Sequence, residues 1–177
     1  MTDNIILGGG CFWCTEAVFQ KMKGVLKITP GYAGGIISHP SYAEVCSGLT
    51  GHAEVIRLEF DSTVISLKDI LSIFFQAHDP TSSNRQGNDI GTQYRSVIFY
   101  QNQEQEKLAE EMIAALNKAQ VYDAVIVTEV TALEQFYPAE KEHYTYYKNN
   151  PEAAYCQFVI KPKVEKIKKA FADKLGV

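Results

Sequence analysis

The chain has 177 residues, of which 46% are hydrophobic and 21% charged, and its net charge is −4. This length and composition predict a single globular domain, residues 1–177, with a sizeable core, and the acidic balance argues against a nucleic-acid partner. No apolar run reaches the length of a membrane span, and the first residues lack the basic and apolar regions of a signal peptide. Four cysteines are too few for a disulfide scaffold. We therefore expect a cytoplasmic protein whose thiols act through reactivity or metal binding.

The spacing of apolar residues predicts strands and helices that alternate along the chain. The expected strands are Ile5–Leu7, Val25–Thr29, Ala53–Phe60, Arg95–Tyr100 and a centrally packed Ala124–Val130. The expected helices are Thr15–Phe19, Ser66–Ala77 with Ser66 as its cap, Gln103–Ala119, Pro138–Asn149 and a surface helix at Lys163–Leu175. Two long loops, Pro30–Gly51 with a helical turn at Tyr42–Cys46 and His78–Tyr94, separate them. The fold class this predicts is α/β (α+β): a two-layer sandwich with a mixed, mostly antiparallel sheet, helices mainly on one face and a ferredoxin-like core.

The segment Gly8–Cys14 (GGGCFWC) carries the strongest chemical signal in the chain. It lies between a strand and a helix, so Cys11 is expected at the first turn of that helix. Unpaired N–H groups and the positive end of the helix dipole favour a thiolate there and lower the pKa of the thiol. The glycines leave the sulfur open to approach, and Phe12 and Trp13 add an apolar wall. Cys11 is therefore a candidate nucleophile, and the alternative is a glycine turn with inert core cysteines.

Four separated blocks resemble one family, the A-type peptide methionine sulfoxide reductases. The blocks are Gly10–Trp13 (GCFW), Gly48–Glu54 (GLTGHAE), His78–Thr81 (HDPT) and Arg85–Ser96 (RQGNDIGTQYRS). They keep the order and spacing of the family, and the resemblance runs from about residue 4 to about residue 156. It implies reduction of the S epimer of methionine sulfoxide, free or in proteins, in repair of oxidative damage. It also implies thioredoxin as the reductant, with no bound cofactor.

The resemblance assigns roles to residues in each block. Cys11 would attack the sulfoxide sulfur and leave the reaction as a sulfenic acid, which a second thiol must reduce. Glu54 matches the acid that donates a proton to the oxygen. Tyr42 and Tyr94 match the phenols that bind this oxygen. Asp89 matches an aspartate that orders water and polarises the network.

Phe12 and Trp13 match the pocket for the substrate methyl group. Each assigned residue also has a plain structural interpretation. Glu54 could be a solvated carboxylate at the start of a strand. The tyrosines could be half-buried with wet hydroxyls, Asp89 could form a turn, and Trp13 could be core.

The identity of the second thiol is open. Cys156 resembles the C-terminal resolving cysteine of the family and lies in the loop-like segment Asn149–Gln157, which could swing over the site. Cys14 stands where many members have glycine, and it forms a Cys-x-x-Cys with Cys11 that can close a redox disulfide. We favour Cys156, with Cys14 as the alternative. The chain after Cys156 lacks the glycine-rich tail and further cysteine of many members, and Cys46 is expected to be buried and inert.

Other interpretations are a metal site and two non-reductase functions. Cys11, Cys14, Cys46 and His52 do not have the spacing of paired zinc ligands, so no metal is expected, and His39, His52 and His78 are expected to hydrogen-bond loops. Tyr144 replaces the family's usual glutamine after His143, which leaves any polar contact from that position unassigned.

Two functions other than sulfoxide reduction are further alternatives. A thioredoxin-like disulfide oxidoreductase would leave the glycine run and the 87–95 block without a role. A redox-sensing binding module would react without turnover. No apolar surface helix requires a dimer, so a monomer is expected.

Overall fold

The structure is a computed structural model, and it describes residues 1–176. Eight strands are present in this part of the chain: β1 (Thr2–Gly9), β2 (Val25–Ala33), β3 (Ala53–Asp61), β4 (Arg85–Gln86), β5 (Asp89–Ile90), β6 (Ser96–Tyr100), β7 (Glu129–Ala132) and β8 (Phe136–Pro138). Six of them form one sheet in the order β7-β6-β1-β3-β2-β8, and β4 and β5 form a separate hairpin. Only the β6–β7 pair is parallel within the described sheet. The mixed, mostly antiparallel sheet that the sequence predicts is thus confirmed.

The helices are α1 (Phe12–Phe19), α2 (Tyr42–Cys46), α3 (Leu67–Ala77), α4 (Gln103–Lys118), α5 (Tyr146–Asn149) and α6 (Lys161–Ala170). Short 3-10 turns lie at Thr92–Tyr94, Lys141–His143 and Ala172–Lys174, and a π-helical turn lies at Cys156–Ile160. Ser66 caps α3 as predicted, since its hydroxyl accepts from the Asp69 N–H at 3.0 Å. The Asp69 carboxylate in turn accepts from the Ser66 N–H, which completes a capping box. Among residues 1–176, no helix combines the length and apolar character that crossing a membrane requires.

The two faces of the sheet pack differently because side chains alternate along each strand. Ile5, Leu7 and Ile56 point to one face, where they join a large buried cluster with residues of α1 and α3. Ile6 and Val55 point to the other face, where the smaller buried cluster consists of strand residues only. Glu54 is two residues from Ile56 on β3, so both side chains point to the same face of the sheet. It therefore belongs to the face that meets α1.

Two predicted segments differ at the edges of the sheet. The predicted loop from Pro30 onward is strand as far as Ala33, because it pairs with both β3 and β8. The predicted central strand Ala124–Val130 is wrong: the strand is Glu129–Ala132, it pairs only with β6, and it lies at the edge. Val125 is 70% exposed. The branched side chain that suggested a buried strand therefore lies at the surface.

The C-terminal predictions also need correction. The helix predicted at Pro138–Asn149 is absent as a unit: Pro138 ends an edge strand, and Thr145 has φ +49°, which breaks any continuous helix. The last long helix is Lys161–Ala170, and its Ile167 is 1% exposed within the main core rather than at the surface. The predicted loop His78–Tyr94 contains the β4–β5 hairpin and a 3-10 turn.

The turn from β1 into α1 places the cysteine pair. β1 ends at Gly9, and Gly10 has φ +99°, a conformation that glycine adopts without strain. A Cβ at Gly10 would lie 2.8 Å from Cγ of Gln86, so this glycine also lets the β4 residue close over the turn. The expectation that the glycines leave the sulfur open is therefore corrected at Gly10, where the freed space is filled by protein.

Candidate active site

Cys11 is the N-cap residue of α1, and Cys14 follows in its first turn. Cys11 is 6% exposed and Cys14 is 3% exposed. The Cys11 carbonyl accepts from the Cys14 N–H at 3.1 Å, which begins the helix. All four cysteines of the chain are free thiols. The strand–glycine turn–helix arrangement predicted for this segment is therefore confirmed.

The pKa of the nucleophile candidate is not lowered as expected. Burial, a hydrogen bond to Cys14 and the charge of Glu54 raise the pKa of the Cys11 thiol well above its usual range. The same hydrogen bond lowers the pKa of Cys14 to about 7, with help from Lys163 and Tyr155. Desolvation outweighs the favourable helix end because the first turn of α1 is covered by protein. The hydrogen bond from the Cys11 thiol is the main cause that favours a thiolate at Cys14.

Glu54 on β3 meets the start of α1. Its Oε1 accepts from the backbone N–H of Phe12 at 3.1 Å, and its Oε2 has no partner among the described residues. The side chain is 1% exposed. Burial raises the pKa of Glu54 to about 8, assisted by the charges of Asp89 and Cys14 and opposed by the Phe12 N–H. The carboxyl group is therefore mostly neutral at pH 7, and its proton resides on the free oxygen.

Tyr42 on α2 and Tyr94 in the 3-10 turn before β6 approach the same place from two loops. Burial raises the pKa of both phenols, and the charges of Glu54 and Cys11 add to this shift. The backbone N–H of Tyr42 donates to Oε2 of Glu140 at 2.9 Å, and Tyr32 donates to Oε1 of the same carboxylate. Glu140 therefore anchors α2, a role that the sequence analysis missed.

Cys46 is half-buried rather than buried as predicted. The hydroxyls of Tyr42 and Tyr94 face its thiol and lower its pKa, although burial is the larger effect and the net shift is upward. Its backbone carbonyl accepts from Nε2 of Gln93 at 3.3 Å. Cys46 thus belongs to the wall of the site through its neighbours.

An aromatic wall stands beside the cysteines. The Trp13 ring stacks on Tyr146 with centroids 3.8 Å apart and planes at 8°. Trp13 Nε1 also donates to Nδ1 of His143 at 3.1 Å. Trp13 is partly exposed, whereas Phe12 is fully buried and stacks on Tyr42. Of the two residues predicted to contact substrate, only Trp13 presents a ring at the surface of the site.

A chain of polar contacts joins Asp89 to the cysteines through Tyr155. The Tyr155 hydroxyl donates to Oδ2 of Asp89 at 2.6 Å and lies 3.5 Å from Sγ of Cys14. Asp89 lies on β5, so the small hairpin carries it to the site. The sequence analysis assigns no role to Tyr155, and its position next to Cys156 in the chain was the available signal.

Cys156 is fully buried and forms an apolar cluster with Cys11, Cys14 and Val164. It begins the π-helical turn that runs into α6. The loop expected over Asn149–Gln157 is corrected in its second half: residues 150–153 are irregular, but Ala154 and Tyr155 are helical and lead into the π-helical turn at Cys156. Burial raises the pKa of Cys156, and the charge of Cys14 adds to the shift. Cys156 is thus a near neighbour of Cys14.

His52 hydrogen-bonds a loop as predicted, whereas the partners of His78 lie on α3 and β6 rather than in a loop. His52 accepts from the Gly35 N–H at 3.0 Å and contacts the Ile37 carbonyl at 2.7 Å. His78 contacts the Phe74 carbonyl at 2.6 Å and the Ser96 hydroxyl at 2.7 Å. One group of metal-type side chains gathers elsewhere, at Glu140, Glu142 and His143. Glu140 and His143 already accept the hydrogen bonds from Tyr32, Tyr42 and Trp13 described above.

The arrangement brings together a thiol, a neutral carboxylic acid with a free oxygen, two phenols and an aromatic wall. Such a set can attack a soft electrophilic atom and protonate an oxygen bonded to it. The comparisons with known proteins agree with this chemistry. Residues 3–175 match the family model described as "Peptide methionine sulfoxide reductase". The chain is 53% identical over 171 residues to a peptide methionine sulfoxide reductase MsrA of Saccharolobus solfataricus, covering 97% of this chain and 96% of that one.

Solved structures give the same result. The reduced form of Mxr1 from Saccharomyces cerevisiae superimposes with a TM-score of 0.82 at 34% identity, covering 88% of this chain and 89% of that one. Mxr1 in complex with Trx2 superimposes with a TM-score of 0.57 at 24% identity, covering 82% and 84%. This chain belongs to the peptide methionine sulfoxide reductase family and is an oxidoreductase that reduces methionine sulfoxide.

Proposed function

We propose that Cys11 is the nucleophile, and that it takes the oxygen from the S epimer of methionine sulfoxide, free or within proteins. The Cys11 sulfur attacks the sulfoxide sulfur, Glu54 protonates the sulfoxide oxygen, and the thiol proton of Cys11 replaces the one that Glu54 gives up. The hydroxyl then passes to the Cys11 sulfur: the substrate S–O bond and the transient S–S bond break, a Cys11 S–O bond forms as a sulfenic acid, and methionine leaves with the electron pair of the S–S bond. The observation that carries this proposal is the buried Glu54 carboxyl group beside the N-terminus of α1, whose Oε2 has no partner in the described part of the chain and whose pKa burial raises to about 8.

Glu54 acts as the general acid in this proposal. A sulfoxide oxygen is a weak leaving group until it is protonated, and Glu54 holds a proton at pH 7. Cys11 starts as a thiol, so its proton can replace the one that Glu54 gives up. Raised pKa values at both groups are therefore compatible with catalysis.

Tyr42 and Tyr94 bind the sulfoxide oxygen as it gains charge. Phenols with raised pKa values remain hydrogen-bond donors throughout the pH range of the enzyme. Asp89 orients Tyr155 and orders water in the same network. The charge on Asp89 also helps to keep Glu54 protonated.

Trp13 and Phe12 form the pocket for the substrate methyl group. Trp13 supplies the accessible ring, and Phe12 supports Tyr42 from within the core. The aromatic wall fixes the methyl group on one side, and the two tyrosine hydroxyls fix the sulfoxide oxygen on the other. A site that fixes two of the groups on a chiral sulfur distinguishes its two epimers. This arrangement supports selectivity for one sulfoxide epimer.

Instead of the direct attack by Cys156 that the sequence favours, or by its alternative Cys14 alone, we propose that recycling uses both thiols and passes through Cys14 to Cys156. Cys14 has the low pKa and shares a hydrogen bond with Cys11, so it is placed to attack the sulfenic acid and release water. Cys156 then attacks Cys14, which frees the Cys11 thiol and leaves a Cys14–Cys156 disulfide. A dithiol protein reduces that disulfide. The complex of Mxr1 with Trx2 supports thioredoxin as this reductant, with no bound cofactor.

We propose the same cellular and structural setting as the sequence analysis. Residues 1–177 form one catalytic domain, a monomer in the cytoplasm without nucleic-acid or membrane partners. Free thiols and the negative net charge support this setting. The order β6-β1-β3-β2, with α1 after β1 and α3 after β3, supports a ferredoxin-like core in a two-layer sandwich.

The decisive experiment measures reduction of the two enantiomers of methyl p-tolyl sulfoxide by the purified protein with dithiothreitol. We expect turnover of the S enantiomer, and none of either enantiomer by Cys11→Ser with an unchanged circular dichroism spectrum. Ser62→Ala, an exposed substitution in the turn after β3, is the control and should keep the first-turnover burst. Reduction of a small disulfide without sulfoxide turnover would favour a disulfide oxidoreductase and overturn the proposal.

A further inference from the structure

His143 is a buried histidine to which the proposed mechanism gives no role. It is 6% exposed and ends the 3-10 turn Lys141–His143. The centroid of its ring lies 4.4 Å from that of Tyr42, 5.2 Å from that of Phe12 and 5.8 Å from that of Trp13. His143 therefore touches both the ring proposed to bind the substrate methyl group and a phenol proposed to bind the sulfoxide oxygen.

The hydrogen bond between Trp13 and His143 requires a neutral imidazole. Trp13 Nε1 donates to Nδ1 of His143 at 3.1 Å. An indole N–H can only donate, so Nδ1 carries a lone pair and the imidazole proton lies on Nε2. Burial lowers the pKa of His143, and the charges of Glu140 and Glu142 oppose this shift. The neutral form that accepts the hydrogen bond is thus the form present at pH 7.

This hydrogen bond adds a constraint that the stacking of Trp13 does not supply. The Trp13 ring lies on Tyr146 with planes at 8°, which fixes the tilt of the indole. Stacked rings can still turn and slide within their common plane. A hydrogen bond at the ring edge is directional, so it fixes that remaining freedom. Tyr146 and His143 together therefore set the orientation of the Trp13 ring.

The segment that ends at His143 also holds Tyr42. The Glu140 carboxylate accepts from the Tyr42 backbone N–H at 2.9 Å and from the Tyr32 hydroxyl at 2.9 Å. The His143 N–H donates to the Glu140 carbonyl at 3.0 Å, which closes the turn. Residues 140–143 thus bind α1 through His143 and α2 through Glu140. The position of Trp13 relative to Tyr42 depends on this one short segment.

We propose that His143 is a positioning residue for sulfoxide binding: its Nδ1 holds the Trp13 indole in a fixed orientation relative to Tyr42, and so sets the spacing between the apolar wall and the donors to the sulfoxide oxygen. The inference rests on the proposed function for the roles of Trp13 and Tyr42. Its physical part, the orientation of the Trp13 ring by His143, does not depend on any reaction.

The test uses His143→Phe, which keeps an aromatic ring but removes the acceptor, and His143→Asn, whose amide oxygen can take the place of Nδ1. The matched control is His39→Asn, at an exposed histidine with φ +49°, which asparagine adopts readily. In single turnover, His143→Phe should raise the half-saturating sulfoxide concentration about tenfold, as expected for one buried donor left unpaired. The limiting rate constant should change far less, and His143→Asn should recover most of the loss.

A second variant isolates the hydrogen bond from general packing. Trp13→Phe keeps a ring in the wall but removes the indole N–H. In this background, His143→Phe should have little further effect on the half-saturating concentration, because His143 has no donor left to hold. Additive effects of the two substitutions would overturn the proposal.

Trp13 is the only tryptophan in the chain, so intrinsic fluorescence reports on its ring directly. His143→Phe should change Trp13 emission and increase its quenching by acrylamide, whereas His143→Asn and His39→Asn should leave both close to wild type. Unchanged emission and quenching in folded His143→Phe would overturn the proposal. A wild-type protein that does not reduce sulfoxides would instead refute the proposed function, and these fluorescence results would still decide whether His143 orients Trp13.

A pH titration tests the same contact in the wild-type chain, and so decides the question even where His143→Phe does not fold. An imidazolium cannot accept, so Trp13 emission and the half-saturating concentration should both change as the pH falls through the lowered pKa of His143. His143→Asn keeps Glu140 and Glu142 but has no imidazole, so its profile should be flat over this range. An equal response in both proteins would assign the change to the carboxylates and overturn the proposal.

Discussion

The Phe12 backbone N–H donates to Oε1 of Glu54 at 3.1 Å, and Oε2 has no partner among residues 1–176. An oxygen that accepts an N–H is a poor place for a proton, so the acid proton of Glu54 lies on Oε2. Phe12 is the first residue of α1. The helix that carries the nucleophile therefore also orients the acid, and a shift of α1 would disturb both groups together.

Glu54→Gln should slow the reductase step by roughly 10²–10⁴-fold, because the amide keeps the shape of the acid but gives no proton. The measurement is methionine formed in a single turnover at pH 7. The wild-type rate should be constant below the Glu54 pKa of about 8 and fall above it. The variant should lack this decline, and an unchanged rate at pH 7 would exclude Glu54 as the acid.

Glu54 should also shape the pH dependence of stability. Its pKa rises from an ordinary 4.5 to about 8 on folding, so between these values the folded protein keeps a proton that the unfolded chain releases. The free energy of unfolding should therefore fall as pH rises from about 4.5 to 8. Urea titrations of the wild type and Glu54→Gln should diverge across this window, with the variant losing less. Parallel curves would contradict the buried, neutral carboxyl.

Tyr42→Phe and Tyr94→Phe should each slow the reductase step less than Glu54→Gln does, because each variant leaves the other phenol in place. The expected loss is roughly 10- to 100-fold for one hydrogen bond to developing charge. The double variant should lose more than either single one. Tyr137→Phe, on edge strand β8, is the control, and equal losses in all three single variants would indicate a general packing effect.

The recycling pathway should be visible as trapped disulfides. After one equivalent of methionine sulfoxide, Cys156→Ser should hold a Cys11–Cys14 bond, and the wild type should hold Cys14–Cys156, both mapped by mass spectrometry. Both proteins should form one methionine per enzyme, but Cys156→Ser should stall with thioredoxin. A Cys11–Cys156 bond in the wild type would exclude the passage through Cys14. Normal thioredoxin turnover by Cys156→Ser would make Cys156 structural.

Tyr155→Phe should raise the pKa of Cys14 above about 7, because the Tyr155 hydroxyl is one of the groups that lowers it. The pH dependence of Cys14 alkylation, followed by peptide mass spectrometry, measures this shift. Tyr144→Phe is the control, since Tyr144 is near Glu16 rather than the thiols. A Cys14 alkylation profile that does not move would mean that the phenol does not stabilise the thiolate.

The sequence was sufficient to predict the elements with strong local signals. The Ser66 cap, the alternation before Phe60 and the glycine turn before Cys11 each depend on neighbours in the chain. Strand β8 depends on pairing with Gly31, more than a hundred residues earlier, so no local pattern could reveal it. Val125 and Val127 suggest a strand through their branched side chains, but the backbone that pairs with β6 lies further along.

The chemistry followed a similar division. The residues of the motif blocks could be named from the resemblance, and Cys11, Glu54 and Tyr94 do approach one another. Their electrostatics could not be predicted, because desolvation depends on what covers them. For Cys11, the local signal was the helix end, which predicts a lowered pKa of the thiol. Burial by residues distant in the chain has the larger effect and raises that pKa. Glu140 and Tyr155 act through partners that are distant in sequence, so their roles emerged only from the structure.

Cys156 opens the π-helical turn that continues without a break into α6, and Ile167 of α6 lies in the main core. Closing a disulfide at Cys156 fixes the start of this turn, so any movement that the bond requires is passed to a helix packed in the main core. Local opening of α6, read by amide hydrogen exchange, should differ between the dithiol and disulfide forms. An enzyme stalled without reductant would then expose its C-terminal helix to proteases more often than a reduced one. The lifetime of the protein would thus depend on the supply of the reductant that keeps its cysteines reduced.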